Sequence, residues 1–171
     1  GTLSPEMFQK LAHKNNVATP DGLFDVNGNY KWDEKGDAAA RLTSFVNAYD
    51  MATRVIQTPQ DYFDITYDYL TRCAAENSIY EELTVYADPK PTVGISFAAM
   101  IDAMADAIDK ARENLDIECR ILPAFVRHYG IERSLSDAKA VISYPHKYVT
   151  IISMAEAENM HQVADFVPAY N

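Results

Sequence analysis

Three apolar runs alternate with stretches of helical spacing in the second half of this 171-residue chain, and that alternation limits its possible folds more than any other feature. The runs are Ile79–Tyr86, Arg120–Val126 and Tyr148–Met154, near-continuous apolar segments of strand length. Between the first two lie Phe97, Met100, Ile101, Met104 and Ile108, one face of an amphipathic helix whose Asp102, Asp106, Asp109 and Glu113 face water. Between the second and third runs, Ser134 caps a helix through Leu135, Ala138, Val141 and Ile142. Near-continuous apolar strands joined by helices predict a parallel sheet covered on both faces. The fold class is therefore α/β.

The first 75 residues read as mostly helical. Ser4-Pro5-Glu6 supplies a capping hydroxyl, a proline at the first helical position and an acid near the positive end of the dipole. The helix it opens carries Phe8, Leu11 and Ala12 and closes at Asn15-Asn16. Asn27-Gly28, between short β-prone arms, predicts a hairpin over residues 24–32, and Glu34–Asp37 is a second turn. Leu42, Phe45, Val46, Tyr49, Ala52 and Ile56 form a one-sided stripe, which predicts a helix over 41–57. Thr58-Pro59 then caps a helix over 59–75 that bears Phe63, Thr66, Tyr67, Leu70, Cys73 and Ala74. A short last helix starts at Val163–Val167 and is cut by Pro168. One domain is predicted, with a helical region at 1–75 and strand–helix units over 76–171, and without internal repeats.

Charge excludes some functions. Fifteen Lys and Arg against 25 Asp and Glu give a net charge of −10, which disfavours a general binder of nucleic acid or anionic membrane. Asp61, Asp64 and Asp68 beside the tyrosines of the 59–75 helix argue the same way against a base-stacking surface. No apolar run approaches the ~20 residues of a membrane span, and the N-terminus has no signal-peptide pattern. A soluble, cytoplasmic protein acting on small molecules or on another protein is expected. Cys73 and Cys119 lie in apolar segments without a C-x-x-C pattern and read as free thiols in a reducing compartment.

Candidate chemistry gathers where the strands end, because ligands of parallel α/β folds bind at the carboxyl ends of strands. Arg127-His128 directly follows the second strand, as a site pair or as a structural salt bridge. Glu156 and Glu158 follow the third strand, as site residues or as a solvated turn. The other histidines read as a solvated helix end (His13), a turn (His146) and a loop or helix start (His161), with no H-x-H or H-x-x-x-H pair to share a metal. Asp25, Asn27 and Asn29 have the alternation of a calcium loop, but Tyr30 and Gly36 occupy the positions that need Gly and Glu. No G-x-S-x-G, P-loop or G-x-G-x-x-G occurs.

Taken in order, several segments resemble the adenosine deaminase family of zinc amidohydrolases, and the similarity is collinear over essentially the whole chain. Gly1–Glu6 resembles the segment just past the family's first barrel strand, and Leu42–Asp50 its helix over the substrate pocket. Ile79-Tyr80-Glu81-Glu82-Leu83 is similar to its second strand, Val126-Arg127-His128 to the end of its third, and Tyr148–Glu158 with Met160 and Val163–Phe166 to its fourth strand and the adjoining turn. The resemblance implies a TIM-type (β/α) barrel, of which this chain carries about three parallel strands with their helices. It also implies purine or purine-nucleoside deamination by a zinc-activated water. Leu42, Phe45 and Tyr49 then match an apolar lid over the substrate, and Arg127 an arginine near the pocket. Glu156 places a bulky anion where the family's glycine lets backbone approach the purine ring, and Val85–Pro89 replaces its usual Ser-Pro strand end.

The family's metal ligands lie on strands one, five and eight, with the proton-shuttling Glu after strand five, so zinc is expected for the family and none for this chain alone. A complete barrel needs ~250 residues, and this chain reads as about half of one, inactive by itself. The alternatives are a non-catalytic α/β binding or assembly module and a metal-free small-ligand binder using Arg127, His128 and Glu156. Unpaired sheet edges predict self-association into a homo-oligomer.

Overall fold

The computed structural model describes residues 2–87, 94–156 and 160–170. Its elements run α1 (Pro5–Lys14), α2 (Ala38–Ala52), α3 (Pro59–Ala75), β1 (Tyr80–Tyr86), α4 (Phe97–Leu115), β2 (Glu118–Val126), α5 (Ile131–Ser143), β3 (Ser153–Ala155) and α6 (Val167–Tyr170). The strands form one parallel sheet in the order β1-β2-β3. Register places Leu83 beside Ile121, and both join Met100, Ile101, Met104, Ile108 and Leu70 in a core between the sheet and the α3–α4 layer. Tyr86 pairs with Ala124 and Ala124 with Ser153, so these residues share the opposite face. A second core joins α1, α2 and α3 through Phe8, Leu11, Leu23, Ala52, Val55 and Ile65.

The third strand departs from expectation for a reason visible in its neighbour. A continuous strand over 148–154 is replaced by a bridge from Val149 to Ile121 and a ladder that resumes at Ser153 with Ala124. Four residues of the third segment thus span what three residues of β2 span, which is a bulge. The Ile121 N–H faces this segment, donating to the Tyr148 carbonyl at 2.8 Å, so alternation along β2 aims the nitrogen of Pro123 the same way. Proline has no N–H to give, and the ladder breaks where that donor is missing.

Three smaller differences concern caps and turns. α2 begins at Ala38, because Asp37, read as part of a turn, accepts the Ala40 N–H at 2.9 Å as its N-cap. α5 begins at Ile131 after Gly130, whose φ is +86°, and Ser134 lies inside its first turn, donating to the Gly130 carbonyl at 3.1 Å. Pro168 falls in the first turn of α6, where a missing N–H costs no hydrogen bond, so it begins that helix instead of cutting one. The expected hairpin is reduced to one antiparallel bridge between Phe24 and Tyr30, with the Asp25 carboxylate accepting the N–H groups of Asn27 and Asn29 at 2.8 and 2.9 Å. Both cysteines are free, and burial pushes the Cys119 thiol up to about 12.

Asp61, fully buried, fastens the helical region together. Its carboxylate accepts from Lys14 Nζ at 2.7 Å, Asn15 Nδ2 at 2.8 Å, and the Gln57 and Thr58 N–H groups at 2.8 and 2.9 Å. Desolvation opposes its charge, but the Lys14 ammonium and these further donors outweigh it and hold the carboxyl below its ordinary range. A depressed acid contributes stability that is present above its unfolded value and lost as pH falls through the folded one. Asp61→Ala is therefore expected to lower the unfolding free energy by about 3 kcal/mol in urea titrations at neutral pH. Asp61→Asn should flatten the loss of stability that the parent shows below about pH 4. An alanine variant within about 0.5 kcal/mol of the parent would overturn this role.

Candidate functional site

The carboxyl ends of the three strands hold the chemistry-bearing side chains. β1 ends at Tyr86, β2 runs into a 3-10 turn at Arg127–Tyr129, and β3 runs into Glu156. The Tyr86 hydroxyl donates to the Glu156 carboxylate, tying the two outer strands together across the end of β2. From α2, the Tyr49 ring lies 5.5 Å from the Tyr86 ring at 59°.

Electrostatics show that these groups share one neighbourhood. Desolvation raises the Tyr49 hydroxyl, with Tyr62 and then Glu156 and Asp50 adding to it. Desolvation and the hydrogen bond to Glu156 raise Tyr86. Desolvation, then Asp50 and Glu156, raise Tyr129. Burial pushes Tyr62 up to about 12. Tyr49 is 36% exposed.

The expected lid residues occupy one face of α2. Leu42, Phe45 and Tyr49 are 37%, 44% and 36% exposed, and Ala48 and Ala52 are the residues by which α2 enters the core. Phe45 meets Trp32 edge to face at 5.4 Å. The structure thus brings Tyr49 and Glu156 together through Tyr86, with Phe45 and Leu42 successive turns away along α2. Arg127 opens the 3-10 turn at the end of β2, and its charge acts on Tyr170, whose ring packs on Phe125 at 5.4 Å. His128 packs edge to face on Tyr129 at 4.6 Å. Glu158 falls outside the described residues.

Glu156 adopts φ +78°, the left-handed region that favours glycine. The backbone at the position where the resemblance places a glycine therefore keeps a glycine's conformation while carrying a carboxylate. Tyr86, Asp50 and Tyr129 are neighbours of these candidates that the sequence pattern did not single out. Tyr86 was legible by the rule that selects Arg127 and Glu156, since it is the last residue of the first predicted strand.

A parallel sheet, helices in alternation with its strands and polar groups at the strand ends define part of a TIM-type (β/α) barrel. All 171 residues match the family described as adenosine deaminase. The adenine deaminase of Agrobacterium fabrum is 32% identical over 171 residues, covering 100% of this chain and 50% of its own length. That of Sinorhizobium medicae is 33% identical with the same coverage. Among solved structures, adenine deaminase from Arthrobacter aurescens superposes with a TM-score of 0.80 at 22% identity, over 99% of this chain and 50% of that one. An amidohydrolase from Burkholderia ambifaria with bound zinc has a TM-score of 0.75 at 20% identity, over 99% and 45%.

The chain belongs to the adenosine deaminase family. It spans about half the length of the curated relatives it matches. Among the described residues no three His, Cys, Asp or Glu groups converge to hold a metal ion, so they do not fit the family's zinc, and none of them is given a role through it. No helix among them is long and apolar enough to cross a membrane.

The backbone at Glu156 has a direct test. Glu156→Gly and Glu156→Ala both remove the carboxylate, but only glycine relieves the positive φ. The glycine variant is expected to be about 1 kcal/mol more stable than the alanine variant in urea unfolding. Equal stabilities would contradict the left-handed conformation.

Proposed function

We propose that residues 1–171 supply one wall of the purine site of a deaminase-type hydrolase. The observation that carries this reading is the meeting of Tyr49 and Glu156 at the carboxyl ends of parallel strands, in a chain whose whole length matches adenine deaminases. Leu42, Phe45 and Tyr49 would cover the flat face of a purine or purine nucleoside, which aromatic and branched side chains do at little entropic cost. Glu156 would address its polar edge, and Arg127 would stand at the rim. The IMP complex of ADAL, a structural neighbour with a TM-score of 0.73, supports a purine-type ligand. We place the protein in cytoplasmic purine metabolism. The outer edges of β1 and β3, unpaired among the described residues, would pair with further strands or with a second copy of the chain.

In the full-length gene product, Phe45→Ala and Tyr49→Ala are expected to raise KM for the deaminated purine about tenfold while kcat changes less, because the wall binds the ring and does not touch the reacting atoms. Unchanged KM in both variants would overturn the assignment. The 171-residue chain purified alone is expected to hold no stoichiometric zinc by atomic absorption and to leave the absorbance of adenine and adenosine unchanged. Deamination by that chain that a chelator abolishes would contradict this.

A further inference from the structure

Glu156 sits on the ligand side of the strand ends, and the groups around it limit what it can recognise. An ionised carboxylate only accepts hydrogen bonds. The Tyr86 hydroxyl spends its proton on one carboxylate oxygen, which fixes the side chain and, among the described residues, leaves the other oxygen uncommitted. Having donated, that hydroxyl has only acceptor capacity left for a ligand. The Tyr49 ring stands beside the pair, with the half-exposed faces of Phe45 and Trp32 further along the same wall. Asp50 acts on the same tyrosine hydroxyls as Glu156.

A flat ring lying on this wall therefore meets acceptors at its edge. A ring nitrogen lone pair aimed at Glu156 would face another lone pair, whereas a ring N–H next to an amino group would give the carboxylate two parallel hydrogen bonds. We infer that Glu156, tethered by Tyr86, is the specificity-determining residue of this site and selects a heteroaromatic ring offering an amino group beside a ring N–H, the guanine type of edge. Rings whose amino group adjoins only acceptor nitrogens, the adenine type of edge, bind more weakly. This deepens the proposed function and rests on that reading of the wall.

The test is equilibrium dialysis of labelled guanine and adenine, at micromolar concentration, against the full-length gene product and its E156Q, E156G and Y86F variants. The parent is expected to bind guanine about tenfold or more tighter than adenine. E156Q, which offers a donor as well as an acceptor, brings the ratio near one. E156G turns the preference toward adenine, and Y86F, with a looser carboxylate, gives an intermediate ratio. Adenine bound by the parent as tightly as guanine, or a ratio that E156Q and E156G leave unchanged, overturns the inference while leaving the purine site in place. Failure of the parent and every variant to bind either base overturns the purine site itself.

Discussion

The buried carboxylate of Asp61 is the polar contact that, beside the apolar core, ties the elements of the helical region together. Lys14 and Asn15 reach it from the end of α1, and the N–H groups of Gln57 and Thr58 reach it from the turn before α3. Asn15 Nδ2 also donates to the Val55 carbonyl at 2.7 Å, fastening the 3-10 turn that succeeds α2. The direction in which α2 leaves that turn is thus set by polar contacts at its carboxyl end. Its own burial is slight, amounting to Ala48 and Ala52.

That arrangement explains why a helix with an apolar stripe leaves much of the stripe in water. In an ordinary amphipathic helix the stripe is the packed face. In α2, the small residues Ala48 and Ala52 do the packing and the large ones, Leu42, Phe45 and Tyr49, stay at least a third exposed. Exposed aromatic groups beside strand carboxyl ends cost solvation until a ligand covers them, which is the condition of a binding wall. An element with so few buried contacts also opens at low free energy, as the proposed ligand wall requires.

Much of the fold was legible in the sequence because periodicity reports burial directly. β1, β2, α1, α3 and α4 lie within two residues of their expected bounds, and the parallel order followed from near-continuous apolar runs joined by helices. The errors arose where one residue overrides a pattern. Pro123 denies the third strand a donor, and the apolar run at 148–154 gives no hint of that, because the cause sits in a different strand. Asp37 and Gly130 fix helix starts through a cap and a positive φ that hydrophobic spacing does not record. At the candidate site, the strand-end rule singles out Glu156 as an expectation, whereas the bond from Tyr86 is a product of register between strands about 70 residues apart and becomes visible only once the sheet is assembled.

The central claim is that α2 and the ends of β1 and β3 form one ligand wall, with Tyr49 on the ring face and Glu156 on the ring edge. A crystal structure of the full-length gene product with a bound purine base tests it most directly. The account expects the ring against Tyr49 and Phe45, with its edge in hydrogen-bond reach of Glu156. A base seated at the amino ends of the strands, or at the carboxyl ends with Tyr49 and Glu156 both out of contact, would contradict it.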